Sequence, residues 1–120
     1  LTKVGCQYSQ ALRYSEGYYD CSSLVQRCYA EFGVTLPATA STQGKYIVDH
    51  GLEVTEDMLE PGDLIFYSYE NNGEFLNISH VAIYIGNGRM VHAANTARGV
   101  VNDPFIPTNV GLYGRPSLGQ

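Results

Sequence analysis

The chain has 120 residues, 44% of them hydrophobic and 16% charged, with a formal net charge of −5. That length suits a single domain whose core buries roughly two-thirds of the unfolded surface, and the composition excludes a disordered chain. The acidic balance argues against nucleic acid or an anionic membrane surface as the main partner, and no apolar run approaches the roughly 20 residues of a membrane helix.

The sequence begins at Leu1 with neither an initiator methionine nor a signal peptide, as expected of a processed protein or a domain cut from a longer one. No repeat, low-complexity tract or linker divides residues 1–120, so one domain is expected. Cys6, Cys21 and Cys28 cannot all pair within the chain, so at least one thiol is free, and nothing places Cys6 beside Cys28.

In chain order, Val4, Tyr8, Ala11 and Leu12 recur at helical spacing and predict a first helix that ends before Gly17. Asp20 is placed to cap a second helix, in which Cys21, Leu24, Val25, Cys28, Tyr29 and Phe32 share one face and Gly33 supplies the stop. Pro37 falls in a loop, and a short helix is expected after Ser41. Pro61-Gly62 marks a turn before a strand over Leu64 to Tyr69. The stretch "SHVAIYIGNGRMVHAA" reads as a hairpin turning at Gly86-Asn87-Gly88, and another short strand is expected near Val100 and Val101. Helices precede antiparallel strands, which is an α+β order.

Within "YYDCSSLVQRCYAEFG", Cys21 stands at a helix start, where unpaired N–H groups and the positive end of the dipole favour thiolate. Asp20 works weakly against that. Cys21 also shares a face with Cys28, seven residues on, and buried cysteines are most often plain core. Cys28 takes that reading, and for Cys21 both stay open. A nucleophilic thiol needs a base. In the strand from Ser79 to Ile85, His80 alternates away from Val81, Ile83 and Ile85. If residues 86–88 form a three-residue loop, paired positions sum to 174, His92 faces Ala82, and His80 and His92 become diagonal neighbours. A two-residue loop would move His92 to the other face.

With the two histidines together, His80 accepts the Cys21 proton and returns it to the leaving amine, while His92 fixes the tautomer of His80. Alone, each is an ordinary half-buried strand residue. Zinc finds no support, since there is no CxxC or HxxxH spacing, and His50 in "VDHG" reads as surface. Ten tyrosines and no tryptophan suit a peptide or sugar groove as well as an ordinary core.

"YDCSSLV", "LP", Gln43, "LEPGDLIFY" and "SHVAIYIGNGRMVHA", in that order from about Tyr8 to Val101, resemble the NlpC family (NlpC/P-sixty) of bacterial cell-wall cysteine peptidases. The resemblance implies a minimal papain-like α+β domain, with the nucleophile helix packed on an antiparallel, partly barrel-like sheet. It implies Cys21 as nucleophile, His80 as base and His92 as the residue that orients it, with Tyr8, Asp20 and Ser22 as substrate contacts. It also implies hydrolysis of the γ-D-glutamyl–diamino acid bond of murein stem peptides, with no metal or organic cofactor. A secreted or wall-associated monomer is expected. Two departures stand out: "YSQALRYSEG" replaces the family's Trp-Gly-Gly segment, and Ser23 replaces a glycine. The alternatives are a related amidase or endopeptidase acting on another murein bond, and a non-catalytic wall-binding module.

Overall fold

The computed structural model describes residues 3–116. Two helices, α1 (Cys21–Ala30) and α2 (Ala40–Asp49), precede five strands. These are β3 (Leu64–Tyr67), β4 (His80–Gly86), β5 (Arg89–Asn95), β6 (Gly99–Pro104) and β7 (Val110–Gly114). They form one antiparallel sheet in the order β6-β5-β4-β3-β7. This is the expected α+β class, and the sheet does not close into a barrel. β7 had no counterpart in the sequence reading.

The helix-facing side of the sheet carries Leu64, Phe66, Val81 and Leu112, which pack on Val25 and Tyr29 of α1 and Ile47 of α2. Leu24 and Tyr19 extend that core over Val91, Ala93 and Val100. Ile65, Tyr67, Ala82 and Met90 form a separate cluster on the other side. The strands of the sheet centre are therefore buried on both faces, which is why "LIFY" is a continuous apolar run.

The predicted first helix is absent. Gln7–Tyr8 (β1) and Tyr18–Tyr19 (β2) instead form a short parallel pair, and Gly5 and Gly17 adopt positive φ. The N–H groups that would close helical turns are used over long range: Gly5 donates to Val100 O, Gln7 to Gly17 O and Ser9 to Tyr19 O. Tertiary bonding overrides a weak helical pattern here. Gly99, at φ +70, permits the contact, because a Cβ there would run into the Cys6 carbonyl.

The second predicted helix forms over Cys21–Ala30, but Phe32 falls beyond it and is 75% exposed rather than on the buried face. The helix expected after Ser41 already begins at Ala40, because Thr39 and Thr42 form a capping box there. The three cysteines are free.

The hairpin corrects one expectation and preserves its consequence. Its loop has two residues, Asn87 and Gly88, both at positive φ as an Asn-Gly primed turn requires. Gly86 pairs with Arg89, and a bulge at Ile85 then restores the pairs Tyr84–Met90 and Ile83–Val91, which sum to 174. The extra residue cancels the slip that a two-residue loop alone would cause.

Candidate active site

Cys21 is the first residue of α1. Asp20 Oδ1 accepts the Ser23 N–H at 2.8 Å, and Ser23 Oγ accepts the Asp20 N–H at 2.9 Å. Ser23, the departure from the family's glycine, thus supplies the return half of a capping box. The cap fixes the helix start and with it the sulfur. The backbone N–H of Val81, the residue after His80, is near enough to Sγ to favour the thiolate, and Cys21 and His80 line one cavity.

His80 and His92 are together: His80 Nε2 lies 2.8 Å from His92 Nδ1, with the rings edge to face. His92 is buried, and its Nε2 lies 2.8 Å from Asp103 Oδ2. Asp103 in turn receives both terminal nitrogens of Arg98, at 2.8 and 2.7 Å. The first two links follow from register. His92 pairs with Val101, so Asp103 is its diagonal neighbour on β6, as His80 is on β4. Sequence reading missed Asp103 and Arg98, because it placed a strand at Val100 without a register.

The electrostatics differ from the sequence expectation. Burial pushes the Cys21 thiol up from its ordinary pKa. N–H groups of Val81 and Ser22 pull the other way, Asp20 adds to the rise, and Arg13 opposes it. The helix start does not deliver a depressed thiol, because desolvation of the sulfur outweighs it. Burial, and then His92, lower His80 to about 4. The resting pair is thus thiol and neutral imidazole. Arg98, through its hydrogen bonds, holds Asp103 at about 2, so that carboxylate is a fixed anion.

Two cavities meet at Cys21. One, of about 460 Å³, is lined by Gln10, Arg13, Asp20, Ser22, Ser41 and Asn72 among others. The other, of about 400 Å³, holds Tyr8, Tyr69, His80, His92 and Arg98. Every site residue expected from sequence borders one of them. Tyr8, on β1, is near enough for Cys21 to raise its phenol, after burial. Asp20 and Ser22 are buried. Ser22 Oγ accepts from Arg13 at 3.0 Å, and Arg13 also binds the Ala38 carbonyl. Arg13 Nε lies 3.4 Å from Asp20 Oδ2 without making a hydrogen bond. Arg13 sits in the segment that replaces Trp-Gly-Gly, and nothing in the sequence marked it. His50, at the end of α2, is exposed and stacks on Tyr46, remote from the site. Among the described residues no cluster of three His, Cys, Asp or Glu side chains could hold a metal.

A partly buried thiol, a neutral imidazole and a second imidazole anchored on an anion form a chemical set suited to acyl transfer. The model of the NlpC/P60 family matches residues 6–108, and the chain belongs to that family. It is 33% identical over 95 residues to the gamma-D-glutamyl-L-lysine dipeptidyl-peptidase of Bacillus cereus (strain ATCC 10987 / NRS 248). That match covers 79% of this chain and 26% of the relative. The fold superposes on NlpC2 from Trichomonas vaginalis with a TM-score of 0.80 and 30% identity, covering 95% of this chain and 42% of that one. It also superposes on RipD from Mycobacterium tuberculosis, described as a non-catalytic NlpC/p60 domain protein adapted to peptidoglycan binding. That TM-score is 0.65 at 28% identity, over 81% of this chain and 66% of RipD. The chain spans about a quarter or less of the length of the curated relatives it matches.

Proposed function

We propose that this domain is a peptidoglycan hydrolase, a cysteine endopeptidase that cleaves the γ-D-glutamyl–diamino acid bond of cell-wall stem peptides. It would act outside the cell or at the wall, as a monomer and without a cofactor. The observation that carries the reading is the His80–His92 contact of 2.8 Å beside the same cavity wall as Cys21. The bond assignment is supported by the family and by the relative that acts on γ-D-glutamyl-L-lysine.

The chemistry begins from the neutral pair. As Cys21 Sγ attacks the γ-carbonyl, its proton passes to His80 Nδ1, so sulfur turns nucleophilic only when a substrate is in place. The developing imidazolium is steadied by His92. His80 then protonates the leaving amine, a thioester remains on Cys21, and water hydrolyses it with His80 as base. Asp20 and Ser22, on the first cavity, are placed for the amino side of the peptide, and Tyr8 borders the reacting carbon's side. A γ-linked glutamate keeps its α-carboxylate free beside the scissile bond. Arg13, next to Ser22, is the cation that would meet it, a contact an α-linked peptide cannot offer in the same place.

The second reading, a wall-binding module, is prompted by RipD. The intact Cys21, His80 and His92 set weighs against it, since binding alone has no chemical use for all three. The test is incubation with a γ-linked stem tetrapeptide and with its α-linked isomer, followed by mass spectrometry. Release of diamino-acid dipeptide from the first alone supports the proposal. Cleavage of both would indicate a general cysteine peptidase. Retention of wall fragments with no cleavage, while Cys21 still alkylates, would favour the binding module.

A further inference from the structure

The three-strand line of side chains behind the thiol has a direction, and its far end determines it. Asp103, bound by both Arg98 nitrogens, can only accept a hydrogen bond. The nitrogen facing it, His92 Nε2 at 2.8 Å, must therefore carry the proton. In a neutral ring that leaves His92 Nδ1 as an acceptor, and the group opposite it, His80 Nε2, must then be the N–H donor. His80 Nδ1 is left with its lone pair, on the nitrogen away from His92. The opposite polarity would put a proton on Nδ1 and remove the base.

We propose that Asp103, held by Arg98, is a positioning residue that sets the tautomer of His80 through His92, extending the relay from three members to five. It rests on the reading of Cys21 and His80 as the reacting pair. When Cys21 transfers its proton, the S–H bond breaks, an N–H bond forms at His80 Nδ1, and the charges are a thiolate and an imidazolium. Asp103 keeps its charge throughout. Arg98 has a mechanical part as well: it lies in the turn between β5 and β6, where its own N–H is capped by Asn95 Oδ1 at 2.9 Å. That turn returns the guanidinium onto β6, so the same connection that sets the β5–β6 register also supplies the clamp.

Asp103→Asn is the informative change, because an amide can rotate and donate to His92 Nε2, which reverses every hydrogen bond back to His80. The measurement is nitrogen-15 NMR of histidine-labelled protein, which reads the protonated ring nitrogen of His80 and His92 separately, together with kcat and KM on the γ-linked peptide. Expected for the unaltered protein is the Nε2–H form of both rings. Expected for Asp103→Asn is a shift of His80 toward Nδ1–H and a kcat lower by up to roughly ten-thousand-fold, the scale on which an aspartate-to-asparagine change behind a catalytic histidine acts through the wrong tautomer. KM should change less than twofold. Arg98→Ala should give a smaller kcat loss that Arg98→Lys partly restores. An Nδ1–H form of His80 in the unaltered protein would overturn the proposal. So would an Asp103→Asn protein whose kcat falls with no change of tautomer, since that marks a merely structural role. Should Asp103→Asn not fold, the unaltered spectrum and the Arg98 pair still decide. The NMR arm needs no turnover, so a protein that cleaves no stem peptide would sink the functional reading while leaving this one to its own result.

Discussion

The thiol half and the imidazole half of the site are held in place by different physics. The helix start that carries Cys21 is fixed by contacts within four residues, since Asp20 and Ser23 cap it from either side. Only the sulfur itself meets a distant strand, at the Val81 N–H. His80, His92 and Asp103 come from three strands and meet only because two registers agree. The first half is a local property of sequence and the second is a property of the assembled sheet. The halves also differ in charge. Burial keeps Cys21 and His80 uncharged, whereas the far end of the strand half is a fixed ion pair. A site of this kind keeps its neutral, reactive end in the desolvated interior and its permanent charges toward solvent, where they cost least.

Breaking either half at its reacting atom should have the largest effect. His80→Ala removes the imidazole that shares a cavity with the thiol, and turnover should fall by on the order of a hundred- to ten-thousand-fold, with Cys21→Ala abolishing it. His92→Ala should lose more than His92→Asn or His92→Gln, because either amide can still meet His80. Three near-wild-type His92 variants would remove the strand half from the mechanism. The assay is kcat/KM on the γ-linked tetrapeptide.

The bulge offers a sharper test of the difference. Deleting Ile85 leaves the Asn87-Gly88 turn and joins Tyr84 directly to Gly86, so the pairs Gly86–Arg89, Tyr84–Met90 and Ile83–Val91 form without the bulge and His92 keeps its face. Activity should stay close to that of the unaltered protein, with Cys21 still on its capped helix. Because the deletion also removes an apolar side chain packed on the core, circular dichroism must first show that the domain folds. A folded deletion variant as inactive as His92→Ala would mean that the bulged residue, and not the register alone, positions His92.

What sequence could and could not show follows the same division. The cap, the α1 face and Cys21 were legible because Asp20 and the apolar spacing lie within a few residues of one another. The hairpin and the facing histidines were legible too, although through a loop of the wrong length whose error the bulge cancelled. Asp103 was missed for want of a β5–β6 register, Arg13 because its partners Ser22 and Ala38 lie 9 and 25 residues away. The false N-terminal helix has the same cause, since its amides bond to Val100, Gly17 and Tyr19. The lowered thiol pKa failed differently: helix position was visible in sequence, and the depth of burial was not.

That failure yields a measurable pH dependence. With His80 held near 4, its imidazole stays unprotonated and able to accept a proton across neutral pH. kcat/KM should therefore drop only as pH falls through about 4, well below the ordinary imidazole value of roughly 6.5. Iodoacetamide should report the other group. Alkylation of Cys21 should rise with pH around a midpoint above the free-thiol value of roughly 8.5, because burial raises the thiol. A midpoint near neutrality or below would show a preformed thiolate–imidazolium pair and refute the neutral resting state.

The smallest expected effects come from Asp20, which belongs to both the local scaffold and the electrostatics. Its carboxylate accepts the Ser23 N–H and also raises the neighbouring thiol. Asp20→Ala removes the cap and should cost about 1 kcal/mol of stability, the usual value for an N-cap, read by denaturant melts. Asp20→Asn keeps an acceptor oxygen and should melt within a few tenths of that of the unaltered protein, since asparagine caps as well as aspartate does. Only the charge is then gone, and with it one cause of the raised thiol. The Cys21 alkylation midpoint should accordingly move down in Asp20→Asn. If Asp20 also holds the amino end of the peptide, KM should rise in the same variant while alkylation becomes easier. Opposite movements of those two readouts in one stable protein would separate the carboxylate's part in binding from its part in the cap. A midpoint that stays put would mean that the Asp20 charge is screened from the sulfur, leaving burial to raise the thiol without it.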